Sequence, residues 1–164
     1  MVLCSGCLVD PPPDFEEPER TAPIMFLDRA VPALGQPLVL QRNTPGVPFT
    51  VPVQSEDLGD ELLASVWANF GLEGETRIKL EPFRPGTFDQ VREIQFTLET
   101  NRLPRGCVPI TLVLHHNENF DRGTLKPLDF TLATMATWWA VVDADPANVS
   151  FADCPRPSDT QVNQ

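Results

Sequence analysis

EIQFTLE, residues 93–99, is the stretch that decides the fold. Its apolar residues Ile94, Phe96 and Leu98 alternate strictly with polar ones. Successive side chains of a β-strand point to opposite faces of the sheet, so this pattern is typical of a strand with one buried and one solvated face. The stretch therefore predicts an antiparallel sheet whose apolar face packs on a second layer.

Short β-rich runs separated by turn residues occur on both sides of this stretch, and they are too short and too often interrupted to be helices. The chain's 18 prolines also disfavour helices, because proline removes a backbone donor and breaks helix interiors. The predicted strands are 24–28, 37–41, 47–54, 62–70, 76–81, 93–100, 108–115 and 134–143. We therefore expect one all-β domain over 24–154, an immunoglobulin-like antiparallel β-sandwich of about seven to eight strands.

The tryptophans give two possible core positions. Trp67 falls on the fourth predicted strand, where an immunoglobulin fold has its core tryptophan, although the local alternation puts its side chain on the opposite face. Trp138 and Trp139 are neighbours, so one of them points to the core and the other outward or under a loop.

The start of the chain, through Cys7, resembles the junction between a bacterial lipoprotein signal and its mature chain. Small residues precede this cysteine, and residues 8–23 hold five prolines and five acidic residues. Such a segment is extended and self-repelling. We expect residues 1–7 to be the remnant of a signal, Cys7 to be lipidated, 8–23 to be a tether, and 155–164 to be a flexible tail. A redox-active or incidental pair with Cys4, or half of a zinc site, are the alternatives.

The other two cysteines, Cys107 and Cys154, lie beside the last two long predicted strands. In an exported chain we expect them to form a disulfide, which contributes about 4 kcal/mol by loop-closure entropy. Two buried free thiols are the alternative.

Charge excludes one class of partner. Lys and Arg number 12 against 23 Asp and Glu, a net charge of -11, so the chain repels phosphate backbones. No nucleic acid is expected as a partner.

Two polar loops, 55–61 and 116–121, are predicted to meet at one end of the sandwich and to form a binding edge. The candidate binding residues are Glu56, Asp57, Asp60, Asn117, Asn119 and Asp121. Calcium could offset the repulsion between the acidic groups, but the dense ligand spacing of a calcium loop is missing, and no metal ligand is assigned. Ordinary solvated turns are the alternative.

Catalytic motifs are not found in the sequence. It has no nucleophile elbow, Gly-rich phosphate loop or His-Glu-x-x-His helix. Its two histidines, His115 and His116, are adjacent on a predicted strand and would point to opposite faces. We expect no enzyme activity, no catalytic residue and no cofactor.

The sequence also resembles a group of predicted lipoproteins, each with one immunoglobulin-like domain, from predatory, gliding Gram-negative bacteria. The residues that carry this resemblance are 7–13, 17–18, 51–57, 66–67, 107–115 and 138–139. The resemblance implies a lipid-anchored place in the cell envelope, at the outer membrane, and a β-sandwich, with no assigned activity. We therefore expect a non-catalytic interaction or assembly module that contacts the membrane through its lipid and binds a protein partner. The alternative is a carbohydrate-binding or adhesive domain that uses Trp138 or Trp139.

Overall fold

The computed structural model describes residues 20–56, 60–83, 90–143 and 154. Their regular structure consists of strands and four single-turn 3-10 helices, at Leu27–Arg29, Thr100–Arg102, Asn117–Asn119 and Phe130–Leu132. The strands are β1 (Ile24–Met25), β2 (Leu38–Leu40), β3 (Val47–Gln54), β4 (Leu62–Ala68), β5 (Thr76–Phe83), β6 (Arg92–Leu98), β7 (Gly106–His116), β8 (Phe120–Asp121), β9 (Lys126–Pro127) and β10 (Ala133–Val142). The prediction of an all-β domain is confirmed. The described part of the chain contains no helix with the length and apolar character that a membrane crossing requires.

Two sheets share one hydrophobic core. The smaller sheet has the order β1-β3-β6, and the larger has the order β2-β10-β7-β4-β5. Phe49 on β3 stacks on Phe96 of β6 and meets the edge of Trp138 on β10, with ring centroids 4.8 and 5.0 Å apart. The alternating residues Ile94, Phe96 and Leu98 are buried in this core, as the pattern of residues 93–99 predicted.

The direction of one strand differs from the prediction. β2 pairs with the far end of β10 in parallel, with Leu38 opposite Ala140 and Leu40 opposite Val142. The expectation of antiparallel pairing throughout is therefore wrong for this pair. Alternation within a strand indicates which face is buried, but it carries no information about the direction of a neighbour that lies far away along the chain.

Trp67 is not the core tryptophan. Its side chain is only 5% exposed, but it lies on the outer face of the larger sheet, where it packs on Phe70 and donates a hydrogen bond from Nε1 to Ser65 Oγ at 2.9 Å. Lys126 covers it from β9, with Nζ 5.8 Å from the ring centroid. Trp138 is fully buried and occupies the core. The local alternation was therefore a better guide than the analogy with an immunoglobulin fold.

The strand ends also differ from the predictions. The predicted strand 24–28 is a strand only at Ile24–Met25 and then turns into a 3-10 helix. The predicted strand 62–70 ends at Ala68, and Asn69 follows with a positive φ of 55°. The β8–β9 hairpin lies in what the sequence analysis treated as a loop.

Two tertiary links involve the ends of the domain. Cys107 and Cys154 form a disulfide, as predicted, with Cα atoms 5.3 Å apart. Residues 20–23, which the sequence analysis assigned to the tether, contact the domain: Pro23 is buried and its carbonyl accepts a hydrogen bond from the Thr134 hydroxyl. Packing against the domain therefore extends into the segment that was predicted to be a tether.

Candidate functional site

The end of the domain that residue 20 enters brings the two predicted loops together. β4 begins where β7 ends, with Leu62 opposite His116. Asn117 N–H then donates to the Glu61 carbonyl at 2.8 Å. The described parts of loops 55–61 and 116–121 therefore meet at the same sheet end, the arrangement that the sequence analysis expected from topology.

An arginine lies between the acidic groups of the two loops. The Arg20 guanidinium lies 3.3 Å from the Asp60 carboxylate and also pairs with Glu118. The hydrogen bond from Arg20, with its positive charge, lowers the pKa of Glu118. Within the described ranges no group of three or more His, Cys, Asp or Glu side chains is placed to hold a metal ion. The repulsion between Asp60 and Glu118, two of the acidic groups for which calcium was considered, is offset here by Arg20 of the same chain.

The two histidines point in different directions from the end of β7. His116 is buried, and its Nε2 lies 3.1 Å from the Thr21 carbonyl, to which it donates, while Nδ1 is 3.8 Å from Asp60. His115 lies on the outer face, where its ring stacks on Phe120 with centroids 5.7 Å apart. The His116 imidazole therefore helps to fix the incoming N-terminal segment, and the His115 imidazole supports the β8–β9 hairpin.

Two of the predicted binding residues hold the loop together. Asn119 is buried; its Nδ2 donates to the Asp129 carbonyl at 2.6 Å, and its Oδ1 accepts from Asp129 N–H at 2.7 Å. The Asp121 carboxylate accepts from Gly123 N–H and from the Thr124 hydroxyl, both at 2.8 Å. These bonds lower the pKa of Asp121. Both side chains are thus engaged within the segment between β7 and β10.

The remaining predicted residues take varied positions. Glu56 is exposed, and so is Asn117. Asp57 and Cys7 lie outside the described residues. Trp139, proposed as a sugar platform, is half-buried, whereas Trp138 has no exposed surface to offer.

A pocket of about 260 Å³ opens between these loops. It is lined by Arg20, His116, Glu118, Asn119, Leu128 and Leu132. Leu128 is 66% exposed, which is the largest exposed fraction of any large apolar residue in the described part of the chain. Its N–H donates to the Asn119 carbonyl at 3.1 Å, and the two bonds between Asn119 and Asp129 fix the next residue. An exposed leucine is therefore held on a well-anchored loop beside an ion-paired rim.

Sequence reasoning missed Arg20, Leu128 and Leu132. Arg20 belonged to the segment interpreted as a tether, and the leucines lay in a stretch without clear alternation. The motif Leu128-Asp129-Phe130, apolar on both sides of an acidic residue, is the signal that could have drawn attention to this loop.

Comparisons with known proteins do not show a family. No family model matches the chain, and no curated protein matches it either. Among solved structures, the chain is similar to a superoxide reductase (neelaredoxin) from Ignicoccus hospitalis. The match has a TM-score of 0.34 and 12% identity, and it covers 76% of this chain and 82% of that one. A likeness at this level supports no statement about activity.

Proposed function

We propose that this chain is a non-catalytic lipoprotein of the bacterial cell envelope, anchored at the outer membrane through Cys7, whose β-domain binds a protein partner. The observation that carries the proposal is the pocket beside Leu128. Exposed apolar surface with a polar rim is characteristic of protein interaction sites. Because hydrogen bonds to Asn119 fix the loop, binding would cost little ordering entropy there.

The position of the pocket fits a tethered module. Thirteen residues lead from Cys7 to Arg20, which lines the pocket. A fully extended chain of that length spans at most about 45 Å. A lipid on Cys7 would therefore keep the pocket within about that distance of the membrane surface.

An immunoglobulin-like topology is part of the proposal. The smaller sheet contains β1, β3 and β6, and the larger contains β4, β7 and β10, which is how strands A, B and E lie against strands C, F and G in that fold. Two features depart from antibody domains. The core tryptophan, Trp138, is on the last strand, and the disulfide joins β7 to Cys154 rather than to the other sheet. The strand order supports the proposed assignment, under which the domain would be a variant of the fold.

Site-directed photo-crosslinking in the native host tests the function. A photoreactive amino acid would replace Leu128 in one strain and Val39 in another. Val39 is 51% exposed on β2, which pairs with the opposite end of β10 from the pocket, so it is a matched control. We expect one discrete protein adduct from position 128, competed by added unlabelled domain, and none from position 39. Equal patterns at both positions, or an adduct that the unlabelled domain does not compete, would contradict the proposal.

A further inference from the structure

The rim of the pocket carries more negative than positive charge. The Glu118 side chain is 71% exposed, and Asp60 lies on the other side of Arg20. Asp129 follows Leu128 and accepts hydrogen bonds from the Thr131 hydroxyl and N–H, which lower the pKa of its carboxyl. Arg20 is the one lysine or arginine among the described residues that line the pocket. Two carboxylates therefore pair with a single guanidinium, and a third carboxylate, that of Asp129, belongs to the residue after the lining residue Leu128.

The walls of the pocket offer a different kind of contact. Leu128 and Leu132 present apolar side chains, and the neighbouring Phe130 is also exposed, although its ring lies 6.2 Å from that of Phe70. Covering such surface on binding is favourable, because it removes apolar area from water. An apolar side chain of a partner would contact Leu128 and Leu132 here, beside the Glu118 carboxylate.

We infer that the pocket binds a partner segment in which an apolar side chain stands next to a lysine or arginine. This inference rests on the proposed function and adds the chemistry of the partner. The apolar side chain packs on Leu128 and Leu132, and the cation lies beside Glu118 and Asp129. An acidic segment is repelled by the same carboxylates and by the net charge of -11, so charge decides which partners are admitted.

The two contributions respond differently to salt. Attraction between exposed charges is screened when the Debye length shortens to about 3 Å at high ionic strength, whereas apolar burial is not weakened in that way. Raising the salt concentration should therefore weaken binding of the basic segment without abolishing it, and should reduce the preference over an uncharged segment.

A display library of random dodecapeptides, selected against the full 164-residue chain, tests the inference. We expect enriched peptides to place Lys or Arg beside Leu, Ile, Phe or Met. A synthetic peptide from this set should lose affinity about tenfold for Leu128→Ala and for Glu118→Lys, and keep it for the control Val39→Ala. Thermal unfolding curves check that each variant is folded. We expect Glu118→Gln to lose less peptide affinity than Glu118→Lys, because it removes the negative charge without adding a positive one.

Several outcomes would overturn it. They are enrichment of acidic peptides, no enrichment over an unrelated protein, or binding that neither variant reduces. The result is separable from the function itself. If crosslinking at position 128 succeeds while peptide selection shows no charge preference, the chain still binds a protein and only the partner chemistry is wrong. If crosslinking fails while basic peptides bind at Leu128, the pocket has the stated selectivity but the native role is wrong.

Discussion

His115 shows how burial at a single residue sets a dependence on pH. Its side chain is fully buried, Nδ1 donates to the His116 carbonyl at 2.9 Å, and Nε2 has no hydrogen-bond partner among the described residues. Burial lowers the pKa of His115 from its ordinary value of 6.5. The folded protein therefore holds a neutral imidazole over a range of pH in which the unfolded chain binds a proton.

We predict that the free energy of unfolding falls as the pH drops from about 7 to about 5. The sign follows from proton linkage. Below pH 6.5 His115 binds a proton in the unfolded chain but stays neutral in the folded protein, because burial lowers its folded pKa. Stability is therefore lost as the pH falls, until the pH reaches the lowered folded pKa. The slope is at most about 1.4 kcal/mol per pH unit for one group. Urea unfolding of wild type and His115→Phe measures it, and the variant should show a flatter profile.

Glu118→Gln is the control for that experiment. The pKa of Glu118 lies below 4.5. Removing this carboxyl should therefore leave the dependence of stability on pH between about pH 7 and about pH 5 unchanged. Parallel profiles for wild type and His115→Phe would exclude His115 as the titrating group.

Arg20 gives a second prediction at this scale. Its guanidinium stabilises the charged form of Glu118 by a hydrogen bond and by attraction. Arg20→Ala should therefore raise the pKa of Glu118 toward its ordinary value of 4.5, as followed by NMR titration of the side-chain carboxyl carbon. Arg29→Ala removes an exposed arginine that lies over Phe26, and should leave that pKa where it is. An unchanged Glu118 titration in Arg20→Ala would show that the ion pair does not persist in solution.

Among the elements, the segment between β7 and β10 is cross-linked by Asn119, whose side-chain amide bonds to both the N–H and the carbonyl of Asp129. Replacing Asn119 by Ala leaves the Asp129 N–H and carbonyl without partners. We expect a loss of about 1–3 kcal/mol in the free energy of unfolding. Hydrogen exchange of the Leu128 N–H, which donates to the Asn119 carbonyl, should also become faster.

Asn117→Ala is the matched control, because Asn117 is exposed and contributes its backbone N–H to the link with Glu61. It should change neither stability nor exchange at Leu128 by a comparable amount. Equal effects of the two substitutions would mean that Asn119 does not anchor this loop.

The same elements show what the sequence could reveal. β3 was predicted with its observed bounds, and β6 within one or two residues at each end, because alternation and turn residues are local signals. β8 and β9 have two residues each and leave no periodic signal. The meeting of the two loops followed from topology, but the role of Arg20 did not, since its partners lie 40 and 98 residues away.

At the scale of the whole molecule, the disulfide closes a long loop. Cys107 and Cys154 are 47 residues apart, and closing a loop of this length removes unfolded-state entropy worth about 4 kcal/mol. We predict that Cys107→Ser/Cys154→Ser lowers the midpoint of thermal unfolding, and that reductant lowers the wild-type midpoint to the same degree. Cys4→Ala should have no such effect. Free thiols at both positions in peptide maps of protein taken from the envelope would contradict the prediction.

The proposed location of the chain at the membrane depends on Cys7, whose lipidation is a prediction from sequence. Lipid on this thiol would attach the domain at its pocket end, since the N-terminal segment joins the fold through Arg20 and Thr21 beside His116. Metabolic labelling with a palmitate analogue in the native host should mark the wild type and Cys4→Ala, and the label should be lost in Cys7→Ala. The Cys7→Ala protein should also leave the membrane fraction, because it would no longer carry the covalent lipid that holds it there. Label that persists in Cys7→Ala but disappears in Cys4→Ala would move the anchor to the earlier cysteine, and label in none of the three proteins would reject the anchored state.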